Sequence, residues 1–113
     1  RRRREPGADW VIVKLGRPGT IREIEVDTAH FRGNFPDRVS LQAAMVEGVA
    51  DDALESASAR WPLLLPEQKL SADAVHRFNE QVAKLGAVSH LRMTIHPDGG
   101  VSRLRLFGTV ARR

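Results

Sequence analysis

The segments on either side of residues 97–100 constrain the fold most strongly, because both alternate between apolar and polar side chains. Residues 88–95 place leucine, methionine and isoleucine on one face, and residues 101–107 repeat the pattern with two leucines. A period of two is that of a half-buried β-strand. The Pro-Asp-Gly-Gly segment between them is typical of a tight turn, so we predict a hairpin. Its predicted core residues are Leu91, Met93, Ile95, Leu104 and Leu106.

Three further segments are predicted to be strands. Residues 10–15 and 21–27 are rich in β-branched side chains, and the Pro-Gly pair within residues 17–20 indicates a turn between them. Residues 39–45 alternate and form the third segment. Short strands separated by turn residues are typical of a sandwich or barrel and not of a doubly wound parallel sheet. We therefore expect a mainly β chain, an antiparallel β-sandwich with at most one or two short helices.

Residues 71–85 carry the clearest helical pattern in the chain. Four apolar residues fall on one stripe at helical spacing: Val75, Phe78, Val82 and Leu85. The alternative for this segment is an extended conformation around His76 and Phe78. Residues 49–58 are acidic and rich in alanine, and we expect either a helical turn or a surface loop there.

The composition restricts the partners of the chain. Its 113 residues, of which 42% are hydrophobic and 28% charged, suit one globular domain. It has no cysteine, which excludes disulfides and thiolate zinc sites and fits the cytoplasm. The net charge of +4 comes from the chain ends: six of the 18 basic residues are terminal arginines, and the other 12 are outnumbered by 14 acidic residues. No apolar run reaches the ~20 residues of a membrane helix. We expect neither nucleic acid nor a membrane as a partner.

The main candidate for catalytic chemistry lies at the end of the predicted strand 21–27. Asp27, His30 and Asn34 fall within eight residues of one another. A carboxylate beside an imidazole can orient the ring and tune its pKa towards neutrality, as general acid–base catalysis requires. We predict that Asp27 and His30 are the catalytic pair and that Asn34 contacts the substrate. The alternative is structural, a turn stabilised by Asx and histidine side chains.

Arginines on the polar faces of the predicted hairpin are the second candidate. If its two strands pair, Arg92, Arg103 and Arg105 converge and hold a carboxylate through paired hydrogen bonds. Arg3, in the N-terminal arginine run, is a further candidate for substrate binding. The alternative is a solvated polar face. The four histidines have no diagnostic metal-binding spacing, so no cofactor is predicted, and the question of a divalent metal ion stays open.

Four motifs follow one another along the chain, and their order is more specific than any one of them. They are RRRR-x-P-G-x-D-W at residues 1–10, L-G-x-P-G at 15–19, E-V-D-T-A-H-F-x-G-N at 25–34 and P-D-G-G-V-S-R-L-R-L-F-G at 97–108. Together they resemble the allantoicase repeat over nearly the whole chain. The resemblance implies a jelly-roll β-sandwich of the galactose-binding-like type. It also implies that residues 1–113 form a single repeat, the C-terminal one of two, without its first strands.

The same resemblance implies a reaction, the hydrolysis of allantoate to ureidoglycolate and urea in purine (allantoin) catabolism. Arginine would hold the substrate carboxylate, and an acid–base pair would move the proton to the departing urea. The implied enzyme is a longer chain, whose partners are its own second repeat and further copies in a homo-oligomer. The alternative is a non-catalytic β-sandwich module that binds a small polar or sugar-like ligand.

Overall fold

The computed structural model describes residues 2–5, 8–31, 33, 36–96 and 100–111, with the backbone alone described for residues 2–5 and 8. All strand pairings within this part of the chain are antiparallel. The elements in chain order are β1 (Arg2–Glu5), β2 (Ala8–Asp27), β3 (Arg38–Ala44), α1 (Asp51–Ser58), β4 (Leu63–Lys69), β5 (Val75–Phe78), β6 (Ala87–His96) and β7 (Arg103–Val110).

The longest strand, β2, belongs to both layers of the fold. Its N-terminal part pairs with β1 and β6, and its C-terminal part pairs with β5 and β7. The predicted turn at residues 17–20 is therefore wrong, because the strand runs through Pro18 where its register with β6 shifts between Lys14 and Gly19. A proline is tolerated at such an interruption of the ladder. Gly19 permits the close approach of β7, since a Cβ there would lie 2.7 Å from the Thr109 carbonyl oxygen.

The final two strands alternate as predicted but do not form the predicted hairpin. Strand β6 pairs with the N-terminal part of β2 and with β3, whereas β7 pairs with the C-terminal part of β2. The two strands therefore lie in different layers, β1-β2-β6-β3-β4 and β5-β2-β7. Turn residues and alternation predict where a strand lies, but they do not predict which strand it pairs with. Here the 20-residue β2 has two halves, and either half could pair with β6 or β7.

The apolar faces of the two layers share one core. Buried Ile24 and Val26 of β2 pack in the same cluster as Leu41 of β3 and Leu65 of β4. The predicted core residues belong to it: Leu91 and Ile95 are buried, while Met93, Leu104 and Leu106 are partly buried against it. Arg103 and Arg105, which alternate with the leucines of β7, are exposed. The predicted antiparallel β-sandwich with at most two short helices is confirmed.

The helix predicted over residues 71–85 is wrong, and its extended alternative is the observed structure. Strand β5 pairs with β2 from Ile24 to Asp27, and its Phe78 is buried in the core. Val82 and Leu85, which completed the helical stripe, pack against the same core from the loop that follows. Pairing with β2 satisfies the backbone of this segment and buries its apolar side chains, so tertiary contacts override the helical spacing.

The helix of the described residues is α1, within the segment expected to be a helical turn or a loop. Its Leu54 and Ser58 are buried. Helix α1 covers the outer face of the first layer, because Ser58 accepts a hydrogen bond from Arg92 of β6, and the next residue, Ala59, accepts one from Gln42 of β3. Neither α1 nor any other helix in the described part of the chain is long and apolar enough to cross a membrane.

Candidate functional site

The predicted catalytic residues lie in the loop that follows β2. One carboxylate oxygen of Asp27, Oδ1, accepts the backbone N–H of Ala29 at 2.8 Å. The side chain of His30 is exposed, and its backbone adopts a left-handed conformation with φ of 72°. The backbone N–H of His30 donates to Asp73 Oδ1 at 2.8 Å. The Asx turn at Asp27 and the hydrogen bond that Asp73 accepts therefore fix the backbone at Ala29 and His30.

Asp73 belongs to the same arrangement and was not singled out by the sequence. Its own φ is 47°, and its N–H donates to the carbonyl of Phe31 at 3.1 Å. Beneath this pair, buried Thr28 donates through Oγ1 to the Ser71 carbonyl at 2.7 Å and accepts the Ala74 N–H at 3.1 Å. His30 and Asp73 are the non-glycine residues with positive φ in the described part of the chain. Such strain persists where the surrounding contacts over-determine it, often at functional sites.

Of the predicted substrate contacts, one is not described and another is described by its backbone alone. Asn34 lies outside the described residues. The structure describes the backbone of Arg3, which pairs with Trp10 in the β1–β2 ladder. Their predicted roles in binding stay predictions.

The three arginines of β6 and β7 do not converge, which corrects the predicted arrangement. Arg92 lies on the outer face of the first layer, under α1, while Arg103 and Arg105 lie on the outer face of the second. Arg105 Nε is 3.6 Å from Oε2 of buried Glu25. The other carboxylate oxygen, Oε1, is 3.1 Å from Nε of Arg77 on β5. The β2–β7 register places Arg103 opposite Asp27, beside the loop of His30.

Arg92 is held in an aromatic and polar environment. Its guanidinium carbon is 4.2 Å from the ring centroid of Trp10, and its Nη1 donates to Ser58 Oγ at 2.9 Å. Trp10 and Ser58 are both buried. Stacking on an aromatic face and a fixed hydrogen bond orient the guanidinium, as in sites that recognise planar anions.

A cleft next to Arg92 was not predicted as a site. It has a volume of about 250 Å³ and is lined by Ile12, Lys14, Asp51, Leu54, Glu55 and His90. These residues come from β2, α1 and β6, so no short sequence motif contains them. The sequence contains one signal for this site: His90 and Arg92 are two residues apart in a strand and therefore lie on the same polar face.

His90 is the buried ionisable group of this cleft. It is 6% exposed, and its Nδ1 lies 2.8 Å from Ser89 Oγ. Burial lowers the pKa of His90, and the positive charge of Lys14 lowers it further, against a smaller opposite effect of Asp51. His90 is therefore neutral near pH 7. Its ring also lies 6.1 Å from that of Trp61, centroid to centroid.

The described histidines and acidic residues do not gather into a metal centre. No group of three or more His, Cys, Asp or Glu side chains in the described part of the chain is placed to hold a metal ion. His76, for example, uses both ring nitrogens internally: Nδ1 donates to the Val26 carbonyl at 3.1 Å, and Nε2 accepts the Ser71 N–H at 2.9 Å.

The sequence and fold both match known proteins. A family model for the allantoicase repeat matches residues 1–111. The chain belongs to the allantoicase family. It is 64% identical over 111 residues to Probable allantoicase 2 of Burkholderia pseudomallei. The aligned region covers 98% of this chain and 33% of the relative. The resemblance drawn from the four sequence motifs is thereby confirmed.

Solved structures place the allantoicase repeat among β-sandwiches. The crystal structure of allantoicase from Saccharomyces cerevisiae is 35% identical, with a TM-score of 0.72 over 96% of this chain and 30% of that one. The C-terminal domain of a chitobiase from Bacteroides fragilis shares the fold with a TM-score of 0.69 at 17% identity. The chain spans about a third of the length of the curated allantoicases that it matches.

Proposed function

We propose that this repeat is part of an enzyme that hydrolyses allantoate to ureidoglycolate and urea in purine breakdown. The observation that carries the proposal is the 64% identity to a relative named as an allantoicase across nearly the whole repeat. The loop of His30 supports it, because an exposed imidazole stands there on a backbone that Asp73 holds in a strained conformation. The longer enzyme is the unit that carries the activity.

The reaction needs one proton to be moved between water and nitrogen. Water supplies an oxygen to the central carbon of allantoate, the bond from that carbon to one ureido nitrogen breaks, and a proton of the water ends on the departing nitrogen. We assign this transfer to His30, as base towards water and then as acid towards urea. We assign Asp27 the orientation of the imidazole through Oδ2, since Oδ1 accepts the Ala29 N–H.

Recognition of the substrate carboxylate falls to arginine. Arg103 is the best placed of the predicted arginines for this role, since it lies opposite Asp27 in the β2–β7 ladder. Arg105 forms an ion pair with Glu25, so we assign it the support of the strand and not substrate binding. Arg92 and Arg3 lie on strands of the other layer. We assign them contacts with another part of the substrate or with the second repeat, and we assign Asn34 a ureido contact.

Assembly and location belong to the same proposal. We expect the second repeat of the chain, and further copies in a homo-oligomer, to cover the apolar side chains that β7 exposes at Phe107 and Val110. A cytoplasmic enzyme fits the absence of cysteine. Light scattering on the full-length protein after size-exclusion chromatography tests the assembly, and a monomer would contradict it.

Urea release from allantoate by the purified full-length protein tests the function directly. Stoichiometric formation of urea and ureidoglycolate is the expected result. A folded, full-length protein that consumes no allantoate, with and without added divalent metal ions, would refute the proposal. Such a result would favour the alternative from sequence, a β-sandwich module that binds without catalysis.

A further inference from the structure

The cleft between α1 and the outer face of β2 and β6 combines features of a ligand site. We propose that it binds a small ureido acid, a molecule with a urea group and a carboxylate, at a place separate from the loop of His30. The choice of ligand class rests on the proposed function, whereas the existence of a site rests on the geometry of the cleft alone.

His90 supplies a hydrogen-bond donor whose direction follows from its neighbours. Ser89 Oγ accepts the Val46 N–H at 2.8 Å, and the hydroxyl proton has three acceptors within reach. The ring Nδ1 of His90 is at 2.8 Å, while the carbonyls of Ala44 and Val46 are at 3.4 and 3.3 Å. We assign the hydroxyl proton to the shortest of these contacts, with Nδ1 as its acceptor, and the ring hydrogen of this tautomer is then on Nε2.

The Nε2 atom of His90 has no hydrogen-bond partner among the described residues, although the side chain is more than nine-tenths buried and lines the cleft. Because Nε2 opens on the cleft and is not paired within the described part of the protein, a ligand acceptor can reach it. His76 shows the contrast, because both its ring nitrogens are bonded within the protein. His90 is thus a donor that an acceptor from outside the protein completes.

The remaining polar groups of the cleft define the chemistry of that ligand. Asp51 and Glu55 are four residues apart on α1, so both lie on the helix face that lines the cleft, where the carboxylate of exposed Asp51 can accept N–H groups. Lys14 brings a positive charge. A simple anion would be repelled by the two carboxylates, and a simple cation would be repelled by Lys14. A ureido acid complements both charges: its N–H groups donate to Asp51, its urea oxygen accepts from His90, and its carboxylate pairs with Lys14.

The size and floor of the cleft agree with this class. Its volume of about 250 Å³ is just below the usual range of small-molecule sites, roughly 300–1,000 Å³. Ile12 and buried Leu54 form an apolar surface on which a flat urea group can lie. A compact planar group therefore fits better than a larger sugar.

The test is calorimetric titration of the full-length protein with N-carbamoylglycine, a ureido acid. His90→Asn keeps a partner for Ser89 and removes the donor at Nε2, so the dissociation constant should rise about tenfold. His90→Gln places an amide N–H near the position of Nε2 and should stay within a few-fold of wild type. Lys14→Met should weaken binding about tenfold as well, while Lys84→Met, on the exposed loop after β5, should not change it.

Each other outcome overturns the inference. Absence of binding by the wild-type protein does so, and so does equal binding by wild type and Lys14→Met, a variant at an exposed position that removes no core contact. Loss of binding in His30→Ala but not in His90→Asn would place the ligand in the loop instead. The proposed function is judged separately by urea release. Failure of urea release with intact, His90-dependent binding removes the enzyme assignment and leaves the site.

Discussion

The loop of His30 and the cleft of His90 present the same side chain in opposite environments. His30 is exposed on a strained backbone that Asp73 holds, whereas His90 is buried with one nitrogen bonded to Ser89. An exposed imidazole can reach both water and substrate, as a general acid or base must. A buried neutral imidazole with its tautomer fixed offers a hydrogen bond and resists charging. This contrast is the reason that we propose proton transfer for the loop and binding for the cleft.

The strongest test of this contrast removes the imidazole of the loop. In the full-length enzyme, His30→Ala should lower kcat by roughly 10² to 10⁴, the usual contribution of a positioned acid or base. The side chain is exposed, so circular dichroism should stay unchanged. Lys84→Ala serves as an exposed control. Wild-type kcat in the His30 variant would transfer the catalytic role elsewhere, with His90 the first group to examine.

Asp73 tests whether the strain in the loop matters. Asp73→Ala removes the acceptor of the His30 N–H, and displacement of the imidazole should lower kcat by roughly tenfold. Asp73→Asn keeps an oxygen at the Oδ1 position and a residue type that tolerates positive φ. It should therefore restore most of the activity. Equal losses in both variants, or a loss in Tm without a change in kcat, would mean that Asp73 only stabilises the fold.

The two arginines of β7 separate recognition of substrate from support of the sheet. Arg103→Ala should raise KM about tenfold with little change in kcat, because a carboxylate contact made in ground and transition states alike is lost. Arg105→Ala should leave KM unchanged. It removes a half-exposed partner of Glu25 and should lower the free energy of unfolding by less than about 1 kcal/mol. The reverse pattern, with KM raised by Arg105→Ala alone, would contradict the register argument.

The sequence predicted what is local and missed what is assembled over distance. Alternation correctly placed Leu91 and Ile95 in the core. The catalytic role of Asp27 and His30, which the sequence singled out, stays a prediction. The partner of β7 could not be predicted, because it depends on how the halves of β2 divide between two layers.

The cleft shows the same limit at the level of a site. Lys14, Asp51 and His90 are separated by tens of residues, and the fold alone brings them together. The segment around Phe78 misled for a related reason: four apolar residues satisfy a helical period and also a strand followed by a loop. Pairing with β2 decides between the two, and it is a tertiary contact that periodicity does not contain.

The smallest expected effect is a change in the pH dependence of stability, which follows from the lowered pKa of His90. Burial lowers its pKa in the folded protein relative to the unfolded chain, so the unfolded state binds more protons as the pH falls. The stabilising contribution is fully present above the unfolded pKa, near 6.5. It decreases as the pH falls from there towards the lower pKa of the folded state.

His90→Gln removes this titration while keeping a neutral polar side chain in the cleft. Thermal unfolding of the full-length protein should therefore show a smaller decrease in Tm between pH 7.5 and 5.5 for His90→Gln than for wild type. Lys14→Met should change the wild-type decrease in the same direction, because it removes a positive charge that lowers the pKa of His90. If all three proteins lose stability in parallel on acidification, His90 is not held neutral, and the distinction between a proton-transferring loop and a binding cleft fails.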